Sequence, residues 1–320
     1  MAAWDVVGLG HCALDTIGLT PRLPHLDDHL LLDDLTQQGG GPVAQALVTL
    51  VRLGATAGFV GRVGDDDAGS RIRSGLAQEG VDTNYLQTAP GSRSLQSMIL
   101  VDASTGKRSI CAFRGNAGSV ILDEPTLDYL CSGRFLHLDG HSPEAAVVAA
   151  RHATEHGARV CLDAGAGARV EHMLPLVKAS HIVIAAENFV FSAFPGCSVA
   201  TGAAELLALG PEIVVVTRGE EGSFTLTGGA EFATPAFRVR VVDTTGAGDV
   251  FHGAYLYGLA QGWDLASTAT FASATAALKC TRLGGRAAIP RLSDVMAFLG
   301  EHDAAFPLHQ ADTESAATSG

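Results

Sequence analysis

Long apolar runs are missing from the 320-residue chain. No segment approaches the ~20 consecutive apolar residues that span a bilayer. Residues 1–7 lack the basic n-region of a signal peptide. The expectation is a soluble, cytoplasmic protein with no membrane partner. Basic residues are scarce as well, 21 Lys and Arg against 34 Asp and Glu, for a formal net charge of −13. Phosphate backbones need a basic footprint, so the balance argues against nucleic acid as a partner. One local pocket can still be positive and take a small anion. The six cysteines, Cys12, Cys111, Cys131, Cys161, Cys197 and Cys280, show no CxxC or other short spacing. They read as reduced, mostly buried thiols, neither a disulfide frame nor a zinc knuckle. Two histidine pairs at i,i+4 spacing, His137/His141 and His152/His156, lack the intervening Glu of HExxH, so no metal site is expected there.

What is present is apolar matter for a sizeable core, 47% of the chain, with 38 glycines. At ~150 residues per domain the length fits two domains or one large α/β unit. Short β-branched runs at 5–8, 58–60, 97–101, 135–138, 159–162, 181–185 and 212–217 alternate with helical spacing at 42–53, 67–79, 143–156, 201–209, 247–261, 265–280 and 293–299. Runs such as Ile213-Val214-Val215-Val216 are apolar without alternation, as strands buried on both faces are. The expected fold is an open, mostly parallel sheet with helices on both sides. Two stretches break the rhythm: 17–38, with Pro21 and Pro24, and 94–118, which has a hairpin pattern turning at 103–106. Together they predict a small sheet standing off the main one as a lid.

Gly8-Leu9-Gly10-His11-Cys12-Ala13 matches GxGxxA after a strand, with Asp33 and Asp34 about twenty residues on, the outline of a dinucleotide fingerprint. That fingerprint requires a helix to start at the second glycine. No helical period follows, so the glycines are read as serving a tight turn.

The strongest signal is Asp243-Thr244-Thr245-Gly246-Ala247-Gly248-Asp249, followed by an Ala/Leu/Tyr-rich helix. Glycines at a helix start let a ligand approach the backbone where unpaired N–H groups and the positive end of the dipole converge. Such a cradle suits a phosphoryl group in flight. A carboxylate beside a phosphate repels it, unless it takes a proton from an incoming hydroxyl, which is what transfer to an alcohol requires. The bland alternative is an Asp that only complements the helix dipole.

These residues resemble the PfkB carbohydrate kinases, the ribokinase-like family. Asp243 to Asp249 reads as DTxGAGD, and an amino-terminal signature appears in Gly39-Gly40-Gly41-Pro42, Leu53-Gly54-Ala55 and Gly61-Arg62-Val63-Gly64-Asp65. The likeness runs from about Val6 to Pro290. Within the family, Gly39 to Pro42 and the run from Ala277 to Pro290 look closest to the sulfofructose kinases. The resemblance implies a ribokinase-like α/β fold: a kinase domain over 1–302, a lid from about 12–38 and 94–118, and a disordered tail at 303–320. It implies ATP and Mg²⁺ as cofactors and a small sugar as substrate. Asp249 would be the base, with Gly246, Ala247 and Gly248 the anion hole. Asp15 would bind sugar hydroxyls, and Gly39, Gly40 and Gly41 would let the sugar lie against backbone. Thr217, Arg218, Gly219 and Gly222 match the turn that contacts the triphosphate, and Ser273 falls where relatives hold adenine. Asp243 and Thr245 would join a monovalent-cation site, for K⁺, found in some members.

The pattern also departs from the family. Ala44 stands where many relatives have Asn. Near 185–190 the NxxE motif that organises magnesium waters is replaced by Glu187-Asn188, leaving Glu187 to hold a metal-bound water. The sulfofructose kinases use a lid Lys and a core Arg for the sulfonate; His29 takes the first position and His141 falls near the second. With Arg114 they are expected at the distal end of the substrate. The alternatives are a nucleoside kinase, a sugar-acid kinase, or a non-catalytic sugar sensor on the same scaffold. The low aromatic content, 6%, leans against the nucleoside kinase, whose acceptor pocket tends to be aromatic. The lid run Leu30-Leu31-Leu32 fits burial by a partner subunit, hence a homodimer, or by the chain's own lid hairpin.

Overall fold

Continuous β-branched runs become the strands of one large sheet, and the Ala/Leu-rich stretches become the helices that cover it. The computed structural model describes residues 2–165 and 168–302. The tail 303–320 lies outside the described residues. The amino-terminal part holds β1 (Trp4–Leu9), β2 (Ala13–Thr20), β3 (Asp34–Gly40), α1 (Pro42–Arg52), β4 (Ala57–Gly64), α2 (Asp67–Gln78), β5 (Leu86–Ala89), β6 (Gln96–Asp102) and β7 (Arg108–Phe113). The middle alternates α3 (Glu124–Leu130), β8 (Gly133–Leu138), α4 (Pro143–Glu155), β9 (Arg159–Ala164), α5 (Val170–Lys178), β10 (Ile182–Ala186), α6 (Glu187–Ala193), α7 (Val199–Ala208) and β11 (Ile213–Thr217). The strands β12 (Ser223–Thr227) and β13 (Glu231–Thr234) follow, then α8 (Ala247–Ala260), α9 (Leu265–Lys279) and α10 (Leu292–Glu301).

The large sheet has the order β13-β12-β11-β10-β9-β8-β1-β4-β5. Its strands run parallel from β5 to β11, and only β12 and β13 are antiparallel. Side chains alternate between its faces, giving two cores. Val6, Ile182, Ile184 and Val215 pack with residues of α1, α2, α8, α9 and α10. Val7, Val183, Val214 and Val216 pack with residues of α4, α5, α6 and α7. Both faces are dry, which is why these strands read as unbroken apolar runs.

The second sheet has the order β3-β2-β6-β7. The expected hairpin forms as β6 with β7; the stretch at 17–38 falls in the antiparallel pair β2 with β3, which starts earlier and runs from Ala13↔Gly40 to Leu19↔Asp34, and β2 lies parallel to β6. After β1 the chain passes directly into β2, so no helix follows Gly10 and the dinucleotide outline fails. Gly8 is instead a packing glycine: a Cβ there would lie 2.4 Å from Val43 Cγ1. All six cysteines are free; Cys12, Cys161 and Cys280 are buried, Cys131 and Cys197 are half-buried, and Cys111 is exposed. The reading of mostly buried thiols thus holds for half of them.

Candidate active site

From β1 the large sheet extends to β4 and β5 on one side and to β8 through β11 on the other. Open α/β sheets bind ligands beyond the carboxyl ends of strands at such a reversal. A cleft of about 410 Å³ lies there, lined by His11, Asp163, Ala186 and Thr217 at strand ends, by Gln45 of α1, and by Thr245 to His252 at the start of α8. The small sheet supplies the opposite wall through Asp15, Ser97, Ile99, Arg108 and Ile110.

Gly246 is the N-cap of α8 at φ 75°, a left-handed conformation that costs a side chain strain. A Cβ at Gly246 would also stand 2.8 Å from Gln45 Nε2. Val250 N–H donates to the Gly246 carbonyl at 3.0 Å, so the helical ladder begins there. The N–H groups of Gly248 and Asp249, in the first turn, precede any intrahelical acceptor. Ala247 departs from the expectation: its N–H donates to the Thr244 carbonyl at 3.2 Å.

Asp249 projects from this first turn into the cleft. Loss of water between the walls pushes its pKa up to about 6, opposed by His11 and Arg108 and reinforced by Asp15. It is therefore ionised at neutral pH yet close to the protonation point, the condition that suits a general base. Asp163 lines the same cleft. Burial, with Asp249 and Asp139 nearby, drives its pKa well above the usual carboxylate range. Its neighbour His252, with Nδ1 3.7 Å from Asp163 Oδ2, is kept neutral by burial and His137. Burial thus raises both cleft carboxyls.

Asp15 sits on β2, buried, its pKa raised by desolvation and held back by Ser97, His11 and Arg286. Its carboxylate occupies the space a Cβ at Gly40 would need, 1.9 Å away, and Arg286 Nη1 fills the same space at Gly39, at 2.1 Å. The glycine run thus makes room for side chains of the protein itself. Of the three, Gly41 alone lines the cleft.

His11 is a site residue for which sequence reasoning had no signal. Its backbone N–H donates to Asp139 Oδ2 at 3.0 Å, and its Nδ1 lies 3.2 Å from the same oxygen. Burial opposes its charge, but Asp139, Asp249 and Asp15 raise its pKa on balance. Its ring centroid is 4.5 Å from that of His141. His141 is held neutral by burial and by His11, with Arg114 adding to the effect. His141 therefore stands beside His11, whereas Arg114 is exposed and His29 lies exposed in the loop between β2 and β3; none of the three expected distal-end residues lines the cleft. Arg108, not Arg114, is the arginine of β7 that lines the cleft, and its Nη1 donates to Thr244 Oγ1 at 3.0 Å beside the anion hole. Ala44 is fully buried, and its neighbour Gln45 reaches the cleft with an Oε1 that has no partner.

On the far side, Thr217 ends β11 and lines the cleft, while Arg218 lies between Glu187, 3.5 Å from its Nε, and Glu221. Gly219 and Gly222 flank a 3₁₀ turn with positive φ, 57° and 88°. Ser273 Oγ donates to the Pro235 carbonyl at 3.1 Å. Asp243 is buried, its Oδ1 accepting from Thr245 N–H at 2.7 Å and its Oδ2 from Gly284 N–H at 2.8 Å.

A carboxylate and amides without an intrahelical acceptor in the first turn of a helix, with a second carboxylate and an arginine on the facing sheet, are groups that phosphoryl transfer to an alcohol can use. The pfkB family carbohydrate kinase profile matches residues 4–292, and the chain belongs to this family. It is an ATP-dependent sugar kinase of ribokinase-like fold. It is 29% identical to the 5-dehydro-2-deoxygluconokinase of Shouchella clausii over 93% of this chain and 96% of that protein. It is 28% identical to the ATP-dependent ribose-1-phosphate kinase of Halopiger xanaduensis, over 92% and 98%. The structure of Arabidopsis thaliana ribokinase complexed with ribose and ATP superposes with a TM-score of 0.82 at 23% identity, covering 93% of this chain and 99% of that one.

Proposed function

We propose that the protein transfers the γ-phosphoryl group of MgATP to a primary hydroxyl of a small sugar or sugar derivative in the cleft between the two sheets. The observation that carries this reading is Asp249, a carboxylate with a pKa of about 6 beside the amides of α8 and across the cleft from Asp15. Asp15 and the Gln45 amide orient the sugar. Asp249 accepts the acceptor's proton as its oxygen attacks phosphorus. The Gly246 and Gly248 amides and Arg108 stabilise the charge on the migrating group. Thr217, Arg218 and the 219–222 turn face the triphosphate, and Ser273 lies on the adenine side. Glu187 is the carboxylate placed to hold a magnesium-bound water.

Arg108 and His11 supply cationic groups among the cleft's carboxyls. That favours an acceptor bearing a carboxylate or phosphate, the chemistry named by the two relatives above. An ADP-coupled screen over pentoses, ketoses, sugar acids, sugar phosphates and nucleosides identifies the acceptor. With it in hand, Asp249→Asn is expected to lower kcat by ~10² or more with ATP binding retained. Near-normal turnover would remove the base assignment, and absence of turnover across the whole screen would favour a sugar sensor.

The outer face of the small sheet exposes Leu35, Met98 and Phe113, with Leu31 and Leu32 beside it. A contiguous apolar face of this kind suits a second copy of the chain, so a homodimer paired through the lids is part of the proposal.

A further inference from the structure

Lys279, in the last turn of α9, is completely buried, and its Nζ donates to the Asp243 carbonyl at 2.7 Å. Burial of an ammonium needs compensation: loss of water lowers the Lys279 pKa and Arg108 adds to that, while the Asp243 and Asp249 carboxylates oppose it. The loop it holds leads directly to the anion hole. Val242 N–H donates to the Cys280 carbonyl at 2.8 Å, and both Asp243 carboxylate oxygens are taken by the amides of Thr245 and Gly284. The 242–246 and 280–285 segments are thus joined through Asp243 with Lys279 behind them.

A K⁺ ion bound among such carbonyls would need a ring of oxygens to replace its water. The three oxygens of Asp243 are spoken for. Its carbonyl carries the ammonium, and its carboxylate closes the two loops. A second cation at the same carbonyl would face a like charge at hydrogen-bonding distance. Of the two residues expected to hold it, Asp243 does not fit a monovalent cation, and Thr245 adds one buried hydroxyl oxygen without a partner.

We propose that the Lys279 ammonium acts as a built-in substitute for a monovalent cation, fixing the loop that shapes the anion hole, so that this kinase works without K⁺. A charge-assisted hydrogen bond from a tethered donor gives the loop the same positive anchor at every salt composition. Lys279 is a positioning residue, since it acts on the phosphoryl group only through the 243–248 backbone.

The test compares kcat with K⁺, Na⁺, NH₄⁺ or tetramethylammonium as the sole monovalent cation at constant ionic strength. The unaltered kinase is expected to show the same kcat in all four. Activation by K⁺ of about fivefold or more, the lower end of ordinary coupling between sites, would overturn the inference. Lys279→Met is expected to lose at least ~10-fold in kcat and to regain much of it with K⁺ or NH₄⁺ but not with tetramethylammonium. A folded Lys279→Met variant that keeps full activity, or that no cation rescues, also overturns it. If that variant does not fold, the unaltered protein decides, through its kinetics and through an equal melting temperature in potassium and tetramethylammonium chloride. The inference rests on the kinase reading, and the two fail differently: no turnover with any acceptor defeats that reading, whereas K⁺-stimulated turnover defeats only the role of Lys279.

Discussion

Asp249 and Asp15 differ in what their loss should do. With a carboxylate pKa of about 6, kcat/KM is expected to fall about tenfold per pH unit below that point, because the base works only when ionised. A pH profile of the unaltered enzyme shows this acid limb, and a flat profile down to pH 5 would contradict the role. Asp15→Asn leaves the phosphoryl end intact, so the sugar's KM should rise by roughly 10- to 100-fold, the worth of a charged hydrogen bond, with a smaller effect on kcat. Initial-rate kinetics separate the two. Both aspartates stood in local motifs and were legible in the sequence. His11, Arg108, Asp163 and Gln45 were not, because what makes them site residues is non-local. His11 is set by Asp139, 128 positions away, and Arg108 by Thr244, 136 positions away. No spacing encodes such pairs.

Among the elements, helix α1 packs against α8 so closely that a Cβ at Gly253 would stand 2.4 Å from the Ala46 carbonyl oxygen. Gly253→Val should cost about 1–3 kcal/mol, as overpacking does, and a lower urea midpoint would show it. It should also reduce kcat, since α8 carries Asp249. Most strands and the long helices were legible because burial on two faces and the 3.6-residue period leave strong patterns. Helix α5 was not, as Pro175 lies inside it and interrupts the helical reading. Helix α3 is only seven residues long, yet it had a usable start: Asp123 caps it by accepting from Thr126 N–H at 3.0 Å, with Pro125 in the first turn. Helix α6 begins at Glu187 directly where β10 ends, so no loop punctuates it. The strand β13 forms the sheet edge with β12 next to it, and both alternate between buried and more exposed residues, which weakens the apolar run.

The whole molecule is an acidic body with one apolar face on its small sheet. If two copies meet there, Met98→Glu, which places a charge where Met98 is now 61% exposed, should convert the dimer to monomer in light scattering while leaving the fold unchanged. A monomeric unaltered protein would remove the lid-pairing proposal. On the proposed roles, the architecture also divides the labour of the reaction. Asp15 and Arg108 ride on the small sheet, whereas Thr217 ends a strand of the large one and Arg218 and Glu187 directly follow its strands β11 and β10. The small sheet joins the body through very short passages, residues 10–12 between β1 and β2 and Gly41 between β3 and α1. Acceptor preference is therefore portable in a genetic sense. Crossovers at those joints, with the β6–β7 hairpin exchanged alongside, would transplant the choice of sugar while the donor machinery stayed in place, so new substrate ranges can arise by recombination of short segments.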